Sequence, residues 1–445
     1  MSLRCPPGRR SIQRRQTFHV PRTRALPDSR PLPPTTQRRF LPPESLALAA
    51  LLTLAVGLGP LATDLYLPSL PAIGEAFARP VADIQLTLSV FIAGFAVSQL
   101  AYGALSDRFG RRPVMLAGFA IFLAASVMAA FAESLEVLLL ARFLQSLGVC
   151  AGPVIGRAVV RDVYGPARAA KVFSYMATAW ALAPAIGPII GGLLETAFGW
   201  RANFWALAAV ALFLLLAMAW GQPETNRHRD PGATRPLRIL SNFATLIAHR
   251  SYIGHALMAS FAYAGIFAFI SGSSFLLIDV VGLSPAAYGL AFGAVVLGYM
   301  VGTFTSGRLS HRVGSEWLVA AGALTIAVAA ALGLLLALLG EITLAAILGP
   351  VALYLVGCGL MMPNAMAGAL RYYPRMAGAA SSLLGFLQMA IAALVGIAVG
   401  HLHDGSSRPM LGAIAIAALA LILAWLLLAR PGARHDREHR AMPEG

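Results

Sequence analysis

Twelve long apolar runs, separated by short polar breaks, fill the chain between residues 45 and 429. A helix that crosses a lipid bilayer needs about 20 predominantly apolar residues, and every one of these runs is long enough. Charged residues make up only 12% of the chain, whereas about a quarter of the residues of a soluble domain are charged. The sequence therefore predicts an all-α integral membrane protein with twelve transmembrane helices.

The longest polar stretch between the runs divides the chain into two six-helix halves. The predicted segments are an Arg- and Pro-rich, disordered cytoplasmic tail (1–43), the N-terminal half (44–221), a cytoplasmic linker (222–250), the C-terminal half (251–430) and a second cytoplasmic tail (431–445). The predicted helices span residues 45–66, 83–105, 113–132, 135–161, 169–195, 200–220, 252–279, 286–309, 316–339, 342–366, 376–401 and 409–429.

The basic residues lie mostly on one side of the predicted membrane. The chain has 34 Lys and Arg residues, and with the N-terminus inside, the outer loops hold only Arg79, Arg201 and Arg408. Cytoplasmic loops carry an excess of Lys and Arg, so both termini and the loops at Asp107 and Arg238 are predicted to be cytoplasmic. This placement accounts for the net charge of +15, and we expect no nucleic-acid binding.

A short motif occurs twice, each time between two apolar runs. Residues 103–110 read Gly-Ala-Leu-Ser-Asp-Arg-Phe-Gly and are followed by Arg111 and Arg112; residues 307–314 read Gly-Arg-Leu-Ser-His-Arg-Val-Gly. The offset of 204 residues is nearly half of the chain, which predicts two pseudo-symmetric halves. Parallel repeats of this kind are typical of secondary transporters whose site lies between the halves, near the bilayer midplane.

The first copy of the motif resembles the signature loop of the major facilitator superfamily. Over residues 45–430 the chain is similar, within that superfamily, to the drug:proton antiporters of the Bcr/CflA type, which include bicyclomycin and chloramphenicol exporters. The resemblance implies the superfamily fold and a loop that latches the halves together in the outward-facing state. A basic turn that only sets the topology is the alternative. The latch residues would be Gly103, Asp107, Arg108, Gly110 and Arg111; in the second copy His311 replaces the acid.

The fourth helix contains Arg142, Gln145 and Gly148, which are similar to the superfamily's Arg-x-x-Gln-x-x-Gly signature. An Arg at the bilayer centre costs about 2.5 to 3.5 kcal/mol, so Arg142 should face a cavity or a partner. Because helix 1 runs outward and helix 4 inward, Asp64 lies at a comparable depth and is the expected partner. Arg157 is expected near the cytoplasmic end of the same cavity, with an ion pair or an interfacial position as the alternative.

Asp64 is the one carboxylate found within a predicted helix rather than at its end. Removal from water favours a protonated carboxyl and a nearby cation favours the ionised form, so a carboxylate here can load and release a proton as access to the cavity changes. Asp64 and Arg142 are therefore the candidates for proton coupling. The alternative is that Asp64 caps the end of helix 1 before Pro68 and Pro71.

The fifth helix contains Gly187, Pro188, Gly191 and Gly192, which resemble the Gly-Pro-x-x-Gly-Gly core of the antiporter signature. Ala183 stands where the signature usually has its first Gly. Small residues allow helices to approach closely, and Pro introduces a bend. The motif favours an exporter over a sugar symporter, with generic small-residue packing as the alternative.

Five further side chains are candidates for an apolar substrate pocket with few polar groups. They are Phe95 and Gln99 in helix 2, Trp180 in helix 5, and Tyr263 and Phe267 in helix 7. Contact with lipid or with the protein core is the alternative for each of them.

Together these features predict a monomeric, proton-coupled exporter of small, largely apolar drugs in the bacterial inner membrane. Its expected partners are the bilayer, the drug and protons. The alternatives are an exporter of a metabolite such as an amino acid or siderophore and, more distantly, a membrane-embedded enzyme, for which the sequence shows no His, Asp and Glu cluster. Because no Gly-x-x-x-x-Gly-Lys-Ser/Thr motif occurs, the proton gradient rather than ATP is the expected energy source, without a cofactor or metal.

Overall fold

The computed structural model describes residues 41–430, with gaps at 43, 227–228, 372 and 374–375. The predicted tails lie outside the described residues, except for Leu41 and Pro42. Leu41 belongs to the packed structure, because its N–H donates to the carbonyl of Gly221 at 2.9 Å. The described part of the chain is almost entirely helical and contains no strand.

The long helices form where the sequence is predominantly apolar, and polar or glycine residues separate most of them. The α-helices of the described residues are α1 (Leu46–Asp64), α2 (Leu70–Phe77), α3 (Val81–Phe109), α4 (Arg111–Ala130), α5 (Leu135–Val149), α6 (Ala151–Val163), α7 (Pro166–Phe198), α8 (Arg201–Gly221), α9 (Pro236–Ala248), α10 (Arg250–Ser274), α11 (Pro285–Val313), α12 (Ser315–Leu338), α13 (Leu344–Leu370), α14 (Ala377–His401) and α15 (Arg408–Ala424).

Twelve stretches of the described residues are long and apolar enough to cross a membrane, which confirms the predicted number. Eight helices form one span each: α3, α4, α7, α8, α11, α12, α13 and α14. In the other four spans the helix continues across an irregularity. These spans are α1 with α2, α5 with α6, and α10 and α15 with the π-helical turn that follows each of them.

The first and fourth spans are interrupted inside the bundle. α1 ends at Asp64, and a 3₁₀ turn, Leu67–Ser69, precedes α2. Pro68 lies in this turn and has no N–H to continue the helical hydrogen bonds. The fourth span breaks at Cys150, three residues before Pro153. The first of these breaks places the Asp64 carboxyl at a helix end within the protein.

Short loops connect most spans, so consecutive spans run in opposite directions. α3 ends at Phe109, beside Asp107 and Arg111 of the repeated motif, whereas α7 ends at Phe198 on the other side of the bundle. We call these two sides the motif end and the opposite end.

The two six-helix halves meet along two helix pairs, α3 with α14 and α7 with α11. Both pairs are in tight contact near the opposite end. There Gly192 of α7 faces the backbone of Pro285 in α11, and Gly400 of α14 faces the side chain of Gln85 in α3.

At the motif end the halves are further apart. A cavity of about 400 Å³ lies between them, lined by Asp107 and Arg157 from the N-terminal half and by Ser381 and Ser382 of α14. The bundle is therefore closed at the opposite end and open toward the motif end.

The predicted linker contains a helix, α9, that was not predicted from the sequence. Its 13 residues are too few to cross a bilayer. Leu246 and Phe243 of α9 pack against Tyr252 of α10 and against Ala380 and Leu383 of α14. The second part of the linker is thus attached to the C-terminal half.

Candidate transport site

A cavity of about 130 Å³ lies between the two halves, beside the end of α1. The N-terminal half contributes residues of α1, α3 and α7, and the C-terminal half contributes residues of α10, α11, α13 and α14. Asp64 is the one charged residue in this lining. The aromatic members are Phe91, Phe95, Trp180, Tyr263, Phe269, Phe292 and Tyr299.

Asp64 is only 2% exposed, although it lines this central cavity. Among the described residues, none donates a hydrogen bond to its Oδ1. Gly187 of α7 lies against it, since a Cβ at Gly187 would be 3.4 Å from the Cβ of Asp64. The carboxyl therefore lies in the interior of the bundle rather than at a solvated interface.

Arg142 is fully buried behind the end of α1. Its Nη1 donates to the carbonyl of Ala62 at 3.0 Å and to Oε1 of Gln145 at 2.8 Å. The rings of Tyr66 and Phe91 flank the guanidinium, each with its centroid 4.2 Å from Cζ. Such stacking on aromatic faces stabilises a desolvated cation.

The expected ion pair between Asp64 and Arg142 is not formed among the described residues. Arg142 does lie beside the end of α1, because it donates to the carbonyl of Ala62, two residues before Asp64. Asp64 lines the cavity, however, whereas the guanidinium of Arg142 is enclosed by the rings of Tyr66 and Phe91. Nε and Nη2 of Arg142 have no hydrogen-bond partner in the described part of the protein, so they remain available to a further acceptor.

Gln145 and Gly148 connect α5 to α4. Nε2 of Gln145 donates to Oγ of Ser126 at 2.8 Å. A Cβ on Gly148 would lie 2.5 Å from the carbonyl oxygen of Gly118, so only glycine allows the two helices to come this close. Arg142, Gln145 and Gly148 of the helix 4 signature all belong to α5. By holding α5 against α4, Gln145 and Gly148 thus fix the position of Arg142.

Arg157 does not lie in the central cavity with Asp64. It lines the larger cavity at the motif end. The reason is distance along the span: fifteen residues after Arg142, at 1.5 Å per residue, correspond to about 22 Å.

The motif loop makes its ion pairs within the N-terminal half. Arg111 pairs with Asp107 at 2.5 Å and with Asp162 at 3.1 Å. Glu224 of the linker accepts the backbone N–H groups of Arg111 and Arg112 at 3.0 and 3.2 Å, at the N-terminus of α4, where a negative charge is favourable.

Three other residues of the predicted latch differ in what surrounds them. Gly110 has a backbone φ of 107°, which residues other than glycine rarely adopt. Arg108 donates to Thr234 of the linker at 2.7 Å. Gly103 has open space around it, so nothing in its packing requires glycine. The latch itself stays a prediction.

The Gly-Pro-x-x-Gly-Gly motif of the fifth predicted helix, which we call the helix 5 motif, belongs to α7. It lies where three helices meet. Gly191 faces the backbone at the end of α1, and Gly192 faces the backbone of Pro285 in α11; a Cβ on either glycine would overlap these atoms. The carbonyl of Pro188 faces Gly289 of α11 in the same way. The motif thus links the helix that carries Asp64 to the C-terminal half.

The glycines of α11 that contact this motif were not predicted from the sequence. A Cβ on Gly293 would lie 2.8 Å from the carbonyl oxygen of Ala185, one turn from the contact at Gly289. The Gly-x-x-x-Gly spacing is typical of close helix pairs in membranes. This spacing could have identified both residues.

Three of the five predicted pocket residues, Phe95, Trp180 and Tyr263, line the central cavity. The internal repeat could have identified one more, because Phe95 corresponds to Tyr299 at the offset of 204 residues, and both line the cavity. Ile92 and Val296 correspond in the same way and also line the cavity, but neither was predicted.

Gln99 and Phe267 were predicted for the pocket, but neither lines it. The amide of Gln99 lies against Gly385, and the ring of Phe267 lies against Gly396. Both glycines belong to α14. Because glycine has no side chain beyond a hydrogen atom, each leaves space in the contact between helices, and the side chains of Gln99 and Phe267 occupy this space.

Glu195, a carboxylate at the opposite end, was not predicted as a site residue. The fifth predicted helix stopped at Glu195, whereas α7 continues to Phe198, so Glu195 lies within this helix. Oγ of Ser69 donates to Oε2 of Glu195, and Nδ2 of Asn203 donates to the same Oγ at 2.8 Å. In the described ranges, no three His, Cys, Asp or Glu side chains are grouped so that they could hold a metal ion.

Comparison with known proteins matches the chain to one family. The model of the Major Facilitator Superfamily matches residues 52–397. The chain is 32% identical over 375 residues to the uncharacterized MFS-type transporter YdgK of Bacillus subtilis, covering 83% of this chain and 92% of the relative. It is 29% identical over 371 residues to the bicyclomycin resistance protein homolog of Haemophilus influenzae (83% and 93% covered). It is 30% identical over 383 residues to multidrug resistance protein D of Escherichia coli (86% and 95% covered).

Among solved structures, the D-xylose-proton symporter superposes with a TM-score of 0.65 at 15% sequence identity, covering 86% of this chain and 97% of the other. At this identity the likeness concerns the fold. Because the family match extends over both halves and the cavity between them, the chain belongs to the Major Facilitator Superfamily of membrane transporters.

Proposed function

We propose that this protein exports small, largely apolar drugs in exchange for protons. The observation that carries the proposal is the central cavity, in which aromatic and apolar side chains from both halves surround one carboxyl group, that of Asp64. A concave, apolar site with a few polar groups is typical of small-molecule binding. The relatives named as a bicyclomycin resistance protein homolog and as multidrug resistance protein D support a drug as the substrate.

Asp64 is the proposed proton carrier. In apolar surroundings an ionised carboxylate without a partner is costly, so its proton exchange depends on whether water or a counter-charge reaches it. Arg142 is the proposed counter-charge, since its Nε and Nη2 have no acceptor among the described residues. The ion pair that this structure lacks would then form in another conformation, after the end of α1 moves.

The contacts of α1 offer a route for this movement. The end of α1 packs against Gly187 and Gly191 of the helix 5 motif, and Gly192 of the same motif touches α11. Separation of α7 from α11 at the opposite end would therefore also shift the backbone at Asp64. Exchange further requires that drug and proton exclude one another, which a small cavity with one carboxyl group in its lining favours.

We infer that the motif end faces the cytoplasm of a bacterial inner membrane, that both termini are cytoplasmic and that the protein acts as a monomer. The excess of Arg in the loops of this end supports the orientation. With the opposite end closed, this structure then corresponds to an inward-facing state. The latch would engage when the motif-end cavity closes and brings Asp107 toward α14, which lines the same cavity.

Proteoliposomes loaded with chloramphenicol and a pH-sensitive dye test the proposal. Drug that leaves the lumen should bring protons in, so the lumen should acidify. Asp64→Asn should abolish acidification, because the exchangeable proton is gone. Glu341→Gln is the matched control, since it neutralises an exposed carboxylate in a loop at the opposite end.

Two results would contradict the proposal in different ways. If Asp64→Asn acidified the lumen as fast as the unmodified protein, the proton carrier would be another residue. If the unmodified protein moved neither drug nor protons across a panel of drugs, proton-coupled drug export itself would be rejected.

A further inference from the structure

The contact between α3 and α14 buries polar side chains against glycines. A Cβ on Gly400 would meet Oε1 of Gln85 at 2.6 Å, and a Cβ on Gly396 would meet Oγ of Ser89 at 2.8 Å. Oγ of Ser271 in α10 donates to Oε1 of Gln85 at 3.2 Å and lies 3.4 Å from the carbonyl oxygen of Gly396. We call these five residues the polar seam. It joins the two halves through polar groups at the opposite end.

Two polar atoms of the polar seam are left unpaired in the closed state. Gln85 is 0% and Ser89 1% exposed. Nε2 of Gln85 and Oγ of Ser89 are buried, and neither has a hydrogen-bond partner among the described residues. A buried polar group without a partner costs about 1–3 kcal/mol. Closure of this end therefore carries a cost that water at the seam would remove.

The polar seam lies between the central cavity and the opposite end. Ile92 of α3 and Ile270 of α10 line the central cavity. Ser89 is one helical turn from Ile92 in the direction of the opposite end, and Ser271 directly follows Ile270. A molecule that moves from the cavity to the opposite end between α3, α10 and α14 has to pass these side chains.

We propose that the polar seam is the gate of the exit path. When the halves separate at the opposite end, water enters between α3 and α14, pairs with Nε2 of Gln85 and Oγ of Ser89, and the transported molecule leaves along the same path. The unpaired atoms destabilise the closed gate, and this allows it to open. This inference rests on the alternating access of the proposed function, but it does not depend on the identity of the substrate or on proton coupling.

Thiol labelling in intact cells tests the gate. In a variant whose three cysteines, Cys5, Cys150 and Cys358, are replaced by Ala, Ser89→Cys should react with a membrane-impermeant thiosulfonate added from outside. Ala130→Cys is the control for depth, because Ala130 is 2% exposed and ends α4 at the same end of the bundle, away from the seam. It should stay unlabelled.

Gln85→Leu should keep the gate closed. Leu fills similar space without an unpaired donor, so labelling of Ser89→Cys should fall about tenfold. Labelling of Ser382→Cys, which lines the motif-end cavity, should rise in membranes opened to the cytoplasmic side. This reciprocal change separates a shift of conformation from misfolding, in which the Ala130→Cys control would also become reactive.

Ser89→Ala provides the same test with less risk to folding, because it removes one oxygen atom. It should lower the labelling of Ser271→Cys, whereas Ser98→Ala should not, since the hydroxyl of Ser98 is paired with the carbonyl of Gly94 at 2.8 Å. The proposal is overturned if Ser89→Cys reacts no faster than Ala130→Cys. It is also overturned if neither Gln85→Leu nor Ser89→Ala lowers labelling at the seam. Because no drug is present, neither result depends on whether the protein exports drugs.

Discussion

Glycines bring the two halves together along both helix pairs, but what the glycines face differs. In the α7–α11 pair, Gly192 and Gly289 face backbone atoms of the other helix. In the α3–α14 pair, Gly396 and Gly400 face side chains, including the amide of Gln85. A backbone carbonyl cannot move unless its helix moves, whereas a side chain can rotate. The α7–α11 pair therefore fixes how closely the halves approach, and the α3–α14 pair can adapt.

The two contacts also differ in polarity. The α3–α14 contact buries amide and hydroxyl groups that are only partly paired, which is unfavourable for a permanent contact. The same groups favour a contact that opens to water in each transport cycle. The α7–α11 pair therefore determines how tightly the opposite end can close, and the α3–α14 pair lowers the free energy needed to open it.

Gly192→Ala should have the largest effect on the contact between the halves at the opposite end. Its Cβ would overlap the backbone of Pro285, and overpacking of this kind costs about 3 kcal/mol. The closed opposite end should be destabilised, so spin labels at Glu133 and Glu341, one in each half, should move apart in a double electron–electron resonance measurement. Unchanged distances would show that α7 and α11 are not held as closely as this structure has them.

Ser271→Ala should have an intermediate effect. It removes the donor to Oε1 of Gln85 and so leaves another buried polar atom unpaired, which costs about 1.5 kcal/mol. The same pair of labels should show more of the open state, by roughly tenfold in the equilibrium. The sign is opposite to that expected for Gln85→Leu. A shift of the two variants in the same direction would contradict the role assigned to the unpaired atoms.

Gly400→Ala should have the smallest effect, although the chemical change is the same as in Gly192→Ala. Its Cβ would meet Oε1 of Gln85 at 2.6 Å, and a small shift of that amide, which keeps the hydrogen bond from Ser271, relieves the contact. We expect less than about 1 kcal/mol and nearly unchanged label distances. If Gly400→Ala separated the halves as far as Gly192→Ala, the two contacts would be equally rigid and the comparison would fail.

The sequence predicted the fold because length and hydropathy alone define membrane spans, and the repeated motif revealed the two halves. It predicted the pocket only in part. Tyr263 lines the cavity and Phe267 does not, although four residues on a helix differ by only about 40° in direction. Phe95 and Gln99 differ in the same way. In both cases a glycine of α14 decides the outcome, and the sequence does not show which glycine faces which helix.

The ion pair shows a similar limit. Position along a span predicts depth in the membrane, and Arg142 does bond to Ala62, two residues before Asp64. The directions in which the two side chains point depend on Tyr66 and Phe91, whose rings enclose the guanidinium of Arg142. Neither ring belongs to a motif that the sequence singles out, so the separation of the two charges could not be predicted.

Measuring proton release on drug binding tests whether drug and proton exclude one another at Asp64. Drug added to purified protein in weakly buffered detergent solution should release protons in proportion to the drug bound, as a pH-sensitive dye would record. We expect that Asp64→Asn still binds the drug but releases no protons, while Glu341→Gln behaves like the unmodified protein. If Asp64→Asn released as many protons as the unmodified protein, Asp64 would not be the site of exchange and the account would be wrong.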